Sequence, residues 1–133
     1  MPFVLDHSVV SGWYLENQAS RYAETVAERL LDDRAWVPPI WELELANVLR
    51  SACVRQRMDA QHAQAVIAQV VSLPITVDRQ PVPASELLGL SLRFGLTTCD
   101  ASYLAIALRH QVPLATLDEA LREAALAAGV GIV

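Results

Sequence analysis

The sequence predicts an α/β fold: a three-layer α/β/α sandwich around a central, mostly parallel sheet of about five strands. Three observations predict it. Short apolar runs of strand length recur along the chain, separated by stretches with helical spacing. Those runs are apolar throughout rather than alternating, as strands covered on both faces are. Hydrophobic residues make up 53% of the 133 residues and charged residues 19%, which suits a substantial core and argues against disorder.

Pro2-Phe3-Val4-Leu5 reads as a buried strand ending at Asp6. A short helix is expected from Ser8 to about Glu16. Ser20 then caps a second helix running to about Asp32, with Tyr22, Val26 and Leu30 on one side. Trp36-Val37 is a brief strand stopped by Pro38-Pro39. A long helix is expected from about Ile40 to Gln56, and another from about Ala60 to Ser72, each followed by polar or turn residues. Pro74 to Val77 is a strand, Ala84 to Phe94 a helix ending near Gly95, and Asp100 opens the next helix to His110. Pro113 to Thr116 is a strand. Asp118 opens the last helix, Gly129 ends it, and Val130 to Val133 is a closing strand. No linker, repeat or low-complexity block interrupts the pattern, so residues 1–133 read as a single domain.

Composition narrows the function. The net charge is −5, so phosphates are repelled at long range and any action on a nucleic acid must rest on a local site or a bound cation. All 10 basic residues are arginine. Without lysine, receiver-type and haloacid-type aspartyl-phosphate chemistry loses the lysine that holds its phosphate. A P-loop is excluded likewise, since GxxxxGK[ST] does not occur. Cys53 and Cys99 form no CxxC pair, and with His7, His62 and His110 they give no zinc spacing. Both thiols read as small core residues of a reduced, cytoplasmic protein. Asp6 interrupts the first apolar run, unlike a signal peptide, and the uncharged stretch from Ala60 to Val77 is too polar to span a bilayer.

Asp6, Asp100 and Asp118 each read alone as helix caps, a role that stabilises by about 1 kcal/mol. At least two of them lie just past strands of one parallel sheet, on the edge where such folds place their sites. Carboxylates crowded into one cleft raise each other's pKa, and a hard divalent cation with oxygen ligands resolves the conflict. The long helix offers a further acid, and its winding leaves the choice open. At about 100° per residue, Glu44, Asn47, Ser51 and Arg55 share one polar stripe, while Glu42 falls on the opposite side near Leu49 and Cys53. His7, beside Asp6, is expected to point away from it. Arg50, Arg55 and Arg57 read first as solvated or as contacts for an acidic partner, their position also suits the negative end of the long helix, and contact with a phosphate backbone is the alternative.

Four blocks resemble the PIN-domain ribonucleases of the VapC toxin type, over essentially the whole chain. They are Phe3-Val4-Leu5-Asp6 with Ser8, then Glu44-Leu45-Ala46-Asn47 after Pro38-Pro39-Ile40-Trp41. The third is Leu96-Thr97-Thr98-Cys99-Asp100-Ala101-Ser102-Tyr103, and the fourth Pro113-Leu114-Ala115-Thr116-Leu117-Asp118. The resemblance selects Glu44 over Glu42. It implies an acidic quartet of Asp6, Glu44, Asp100 and Asp118 that binds Mg2+, or Mn2+, and hydrolyses RNA phosphodiester bonds. Asp6 and Asp100 are the first candidates for direct metal ligands, with Ser8, Thr116 and Asn47 hydrogen-bonding around the quartet. It also implies a homodimer and a cognate antitoxin. The alternatives are a catalytically silent PIN-like module that binds a protein partner, and a PIN nuclease outside toxin–antitoxin systems.

Overall fold

In the computed structural model, which describes residues 1–15 and 18–133, the strands are β1 (Phe3–Leu5), β2 (Ala35–Val37), β3 (Ile75–Val77) and β4 (Leu114–Ala115). The helices are α1 (His7–Tyr14), α2 (Arg21–Arg29), α3 (Ile40–Val54), α4 (Ala60–Val71), α5 (Ala84–Phe94), α6 (Thr98–His110) and α7 (Glu119–Ala127). The first helix was expected to reach Glu16, which lies outside the described residues.

The strands form one parallel sheet in the order β3-β2-β1-β4. β1 is central, and Phe3, Val4 and Leu5 are all fully buried, as a strand covered on both faces requires. β3 is an edge strand and is only partly covered. Sheet order reverses at β1, since β2 and β3 build to one side and β4 returns to the other. The crevice beyond the carboxyl ends of β1 and β4 is therefore the topological switch point, where open α/β sheets bind ligands.

Two expectations are corrected here. The closing strand Val130–Val133 is reduced to an isolated bridge between Ile132 and Leu114, so the sheet has 4 strands rather than about five. Gly129 (φ 79°) and Gly131 flank Val130, leaving too short a run to pair further. The helix after β3 and α5 starts at Thr98, not Asp100. Thr97 is its N-cap, with Oγ1 accepting from the Asp100 N–H at 3.1 Å, so Asp100 stands in the first turn.

Helix α6 lies across β1, β2 and β4 and contributes the fully buried Tyr103, Leu104 and Ala107 to a core shared with β1, Val9, Val26, Leu121 and Ala125. Helix α1 packs closely on α2, because Gly12 has no side chain: a Cβ there would lie 2.8 Å from that of Ala23. Cys53 is partly buried and Cys99 is exposed, so Cys99 is not the core residue its composition suggested. It precedes Asp100 on the open side of the first turn of α6.

The far end of α6 is held by a cluster that local sequence does not announce. Buried Asp78, just after β3, accepts from Arg109 Nη1 (3.0 Å) and pairs with His110 Nε2 (2.8 Å). The His110 ring stacks on Trp36 of β2 with centroids 4.3 Å apart. Burial opposes ionisation of Asp78. Hydrogen bonds from His110, the Gln80 N–H and Arg109, with the guanidinium charge, outweigh it and hold the carboxyl below its ordinary range.

Candidate active site

The run Phe3-Val4-Leu5 delivers Asp6 to the switch-point crevice, where it is 1% exposed. It occupies the N-cap position of α1 with an extended backbone, yet its side chain caps nothing. The capping role that its sequence position offers is therefore refused. Its Oδ2 instead accepts from Ser8 Oγ and from Thr116 Oγ1, both at 2.7 Å. Its Oδ1 is buried and has no hydrogen-bond partner among the described residues. A buried carboxylate oxygen left in that state is costly, and such an atom calls for an explanation.

The two hydroxyls do more than hold Asp6. Thr116 Oγ1 also accepts from the Asp118 N–H at 2.9 Å, and Ser8 Oγ accepts from the Leu117 N–H at 3.0 Å. The loop after β4 is thereby stapled to the start of α1, across 108 to 110 positions of sequence. Asp118 does cap α7, with Oδ1 accepting from the Leu121 N–H at 3.0 Å.

Helix α3 presents Glu44 to this crevice and Glu42 elsewhere. Glu44 Oε1 accepts from the Tyr103 hydroxyl at 2.7 Å, and Oε2 stands 3.1 Å from His7 Nε2. The Glu42 side chain is 52% exposed and pairs with Arg79 at 2.9 Å. Asn47, expected to hydrogen-bond around the acids, is exposed and makes no such bond among the described residues. It lines a groove with Ser51, Arg55 and Arg57 further along α3.

His7 departs from its expected direction. Asp6 is the last extended residue and His7 the first helical one, so the alternation of a strand does not carry across the junction. The imidazole turns inward, with Nε2 3.9 Å from Asp6 Oδ1 as well as near Glu44. Tyr103 is the other residue that sequence reasoning passed over. It stands one turn after Asp100 on α6, and the i, i+3 spacing was the available signal.

Asp100 gives the clearest electrostatic account of the crevice. Burial raises its pKa, and the charges of Asp118, Asp6 and Glu44 raise it further, against the opposing Thr97 hydroxyl. The other three acids therefore all act on this one carboxyl. Tyr103 is pushed far up by burial and by Asp6 and Glu44, so its hydroxyl stays a donor. Beside Asp118 opens a cleft of about 730 Å³ whose walls include Tyr22, Thr116, Leu117 and Arg122.

The donor set suits a hard divalent cation. All four acids offer oxygen, one buried oxygen lacks a partner, and burial together with mutual repulsion raises the Asp100 pKa. The acids are electrostatic neighbours rather than a closed cage: among the described residues no three His, Cys, Asp or Glu side chains already form a metal-holding group. His7 stands between two of them instead.

Residues 3–126 match the PIN domain family. The chain is similar to proteins called Ribonuclease VapC12 from two strains of Mycobacterium tuberculosis, CDC 1551 / Oshkosh and ATCC 25618 / H37Rv. Each is 31% identical over 98 residues, 74% of this chain and 74% of the relative. Its fold is similar to the crystal structure of PAE2754 from Pyrobaculum aerophilum, with a TM-score of 0.70 and 23% identity. The match covers 93% of this chain and 79% of that one.

Proposed function

Because the chain belongs to the PIN-domain family, we propose that it is an endoribonuclease that hydrolyses RNA phosphodiester bonds with a divalent cation, as the toxin of a toxin–antitoxin pair. The observation that carries this reading is the orphaned, buried Oδ1 of Asp6 in a crevice where Asp118, Asp6 and Glu44 all act on Asp100. Asp6 and Asp100 would hold the cation, Mg2+ first and Mn2+ as its substitute. Glu44 and Asp118 would hold a second ion or orient water beside the first. When bound, the cation lowers the pKa of a water molecule and offsets the charge growing on phosphoryl oxygens.

The chain's own residues do the positioning. Ser8 and Thr116 fix Asp6 through Oδ2 and leave Oδ1 for the ligand. Tyr103 fixes Glu44 by a donated hydrogen bond. The cleft beside Asp118 has room for a nucleotide flanking the scissile phosphate, with Arg122 in its wall. A local cationic site of this kind reconciles an acidic chain, net charge −5, with a polyanionic substrate. The relatives' name, VapC, supports a cognate antitoxin as partner, and the family reading extends to a homodimer working in the cytoplasm. Among the described residues no helix is long and apolar enough to cross a membrane.

The test is RNA cleavage by the purified chain. Structured RNA is expected to be cut with Mg2+, spared when EDTA is added, and cut again when Mg2+ or Mn2+ is restored in excess. Cleavage that persists through chelation would overturn the cation-dependent reading. Absence of cleavage with every cation, alongside tight binding of an antitoxin, would identify a silent partner-binding module.

A further inference from the structure

We propose that His7 is a built-in occupant of the cation's place, which must swing out before a divalent ion can bind; the proposal rests on reading the crevice as a cation site. Its Nε2 lies 3.1 Å from Glu44 Oε2 and 3.9 Å from Asp6 Oδ1. The second of these oxygens is the one with no hydrogen-bond partner among the described residues. The ring nitrogen therefore faces the same two carboxylates that an incoming cation needs. The nearest alternative is that His7 is itself a metal ligand. With Nε2 3.1 Å from one carboxylate oxygen and 3.9 Å from another, no room is left between ring and acids for an ion. In this pose the imidazole fills the space between the two carboxylates and competes with the ion for it.

The pose is also one the side chain can leave. Its other nitrogen, Nδ1, is buried with no partner among the described residues, although the side chain as a whole is 30% exposed. Facing inward leaves Nδ1 buried without a partner, whereas turning outward exposes both ring nitrogens to water. The Tyr103 ring, 6.4 Å away and tilted by 38°, flanks the imidazole without a close stack that would lock it. His7 thus stands among the acids in the metal-free protein and lowers the apparent affinity for the ion by the fraction of molecules in which it faces inward.

The experiment is a calorimetric titration of the full chain, and of His7→Ala and His7→Asn, with Mn2+ alone. Both variants are expected to bind about tenfold more tightly than the parent, with a larger rise in melting temperature on saturation. His7→Asn keeps a polar side chain too short to bridge the two acids, and it carries the test if His7→Ala fails to fold. Equal affinity would overturn the proposal, and weaker affinity would make the imidazole a ligand instead. No binding by any of the three proteins would overturn the cation-site reading itself, a different failure from unchanged binding in the variants.

Discussion

Asp6→Asn is expected to leave the fold intact and to slow RNA cleavage by about a thousandfold, the scale of losing one group that stabilises charge at the reacting centre. The carboxamide has the shape of the carboxylate, and its carbonyl oxygen can still accept from Ser8 and Thr116, as Oδ2 does now. The amide nitrogen then replaces the orphaned Oδ1, the atom assigned to the cation. One negative charge also leaves a group in which Asp6 helps raise the Asp100 pKa. The metal-free variant should therefore melt at the parent's temperature or somewhat above it. Single-turnover cleavage and thermal melting on the same preparation separate the two effects. Undiminished cleavage would remove Asp6 from the reaction, and a fall in melting temperature matching the fall in activity would make its role structural.

Tyr103→Ala is expected to cost about 3–5 kcal/mol of stability, the usual result of deleting a fully buried aromatic side chain. Tyr103 is 0% exposed and stands among Leu104, Leu114 and β1 in the shared core. Its hydroxyl is a separate contribution, because it donates to Glu44 at 2.7 Å. Tyr103→Phe keeps the ring and should cost about 1 kcal/mol, the size of one hydrogen bond. Urea titrations read both, with midpoints moving and slopes unchanged if two-state unfolding holds. A loss in Tyr103→Ala no greater than in Tyr103→Phe would show that the ring carries none of the packing assigned to it. The residue ties the core to the crevice: the same side chain that fills space under the sheet also fixes an acid above it.

The strands were legible because a buried parallel strand is apolar on both faces, and Phe3-Val4-Leu5 has no other plausible place in a folded chain. The last run, Val130 to Val133, is also apolar, but Gly131 interrupts it and Gly129 precedes it, and it makes only one bridge. Helix α3 was legible in extent but not in orientation. Periodicity groups Glu44 with Asn47 without saying which stripe meets the crevice, and the structure turns Glu44 toward Tyr103 while leaving Asn47 exposed. Resemblance rather than winding had separated Glu44 from Glu42.

What could not be read were contacts between distant parts of the chain. Thr116 was a candidate for hydrogen-bonding the acids only by its place at the end of a strand, two residues before Asp118. That it reaches Asp6, 110 positions away, while accepting from the Asp118 N–H follows from β4 lying beside β1. The inward turn of His7 depends on where the strand gives way to the helix, a boundary sequence patterns locate only to within a few residues. The Asp78–Arg109–His110 cluster joins a loop to a helix end more than 30 positions later, and no local pattern marks it.

The convergence of Asp6, Glu44, Asp100 and Asp118 on a divalent ion is tested most directly by a crystal structure grown in Mn2+. Anomalous scattering should place manganese against Asp6 Oδ1 and Asp100, with Glu44 and Asp118 around it and His7 displaced outward. Manganese found elsewhere, or those carboxylates turned toward different sides of an ion-free crevice, would contradict the account.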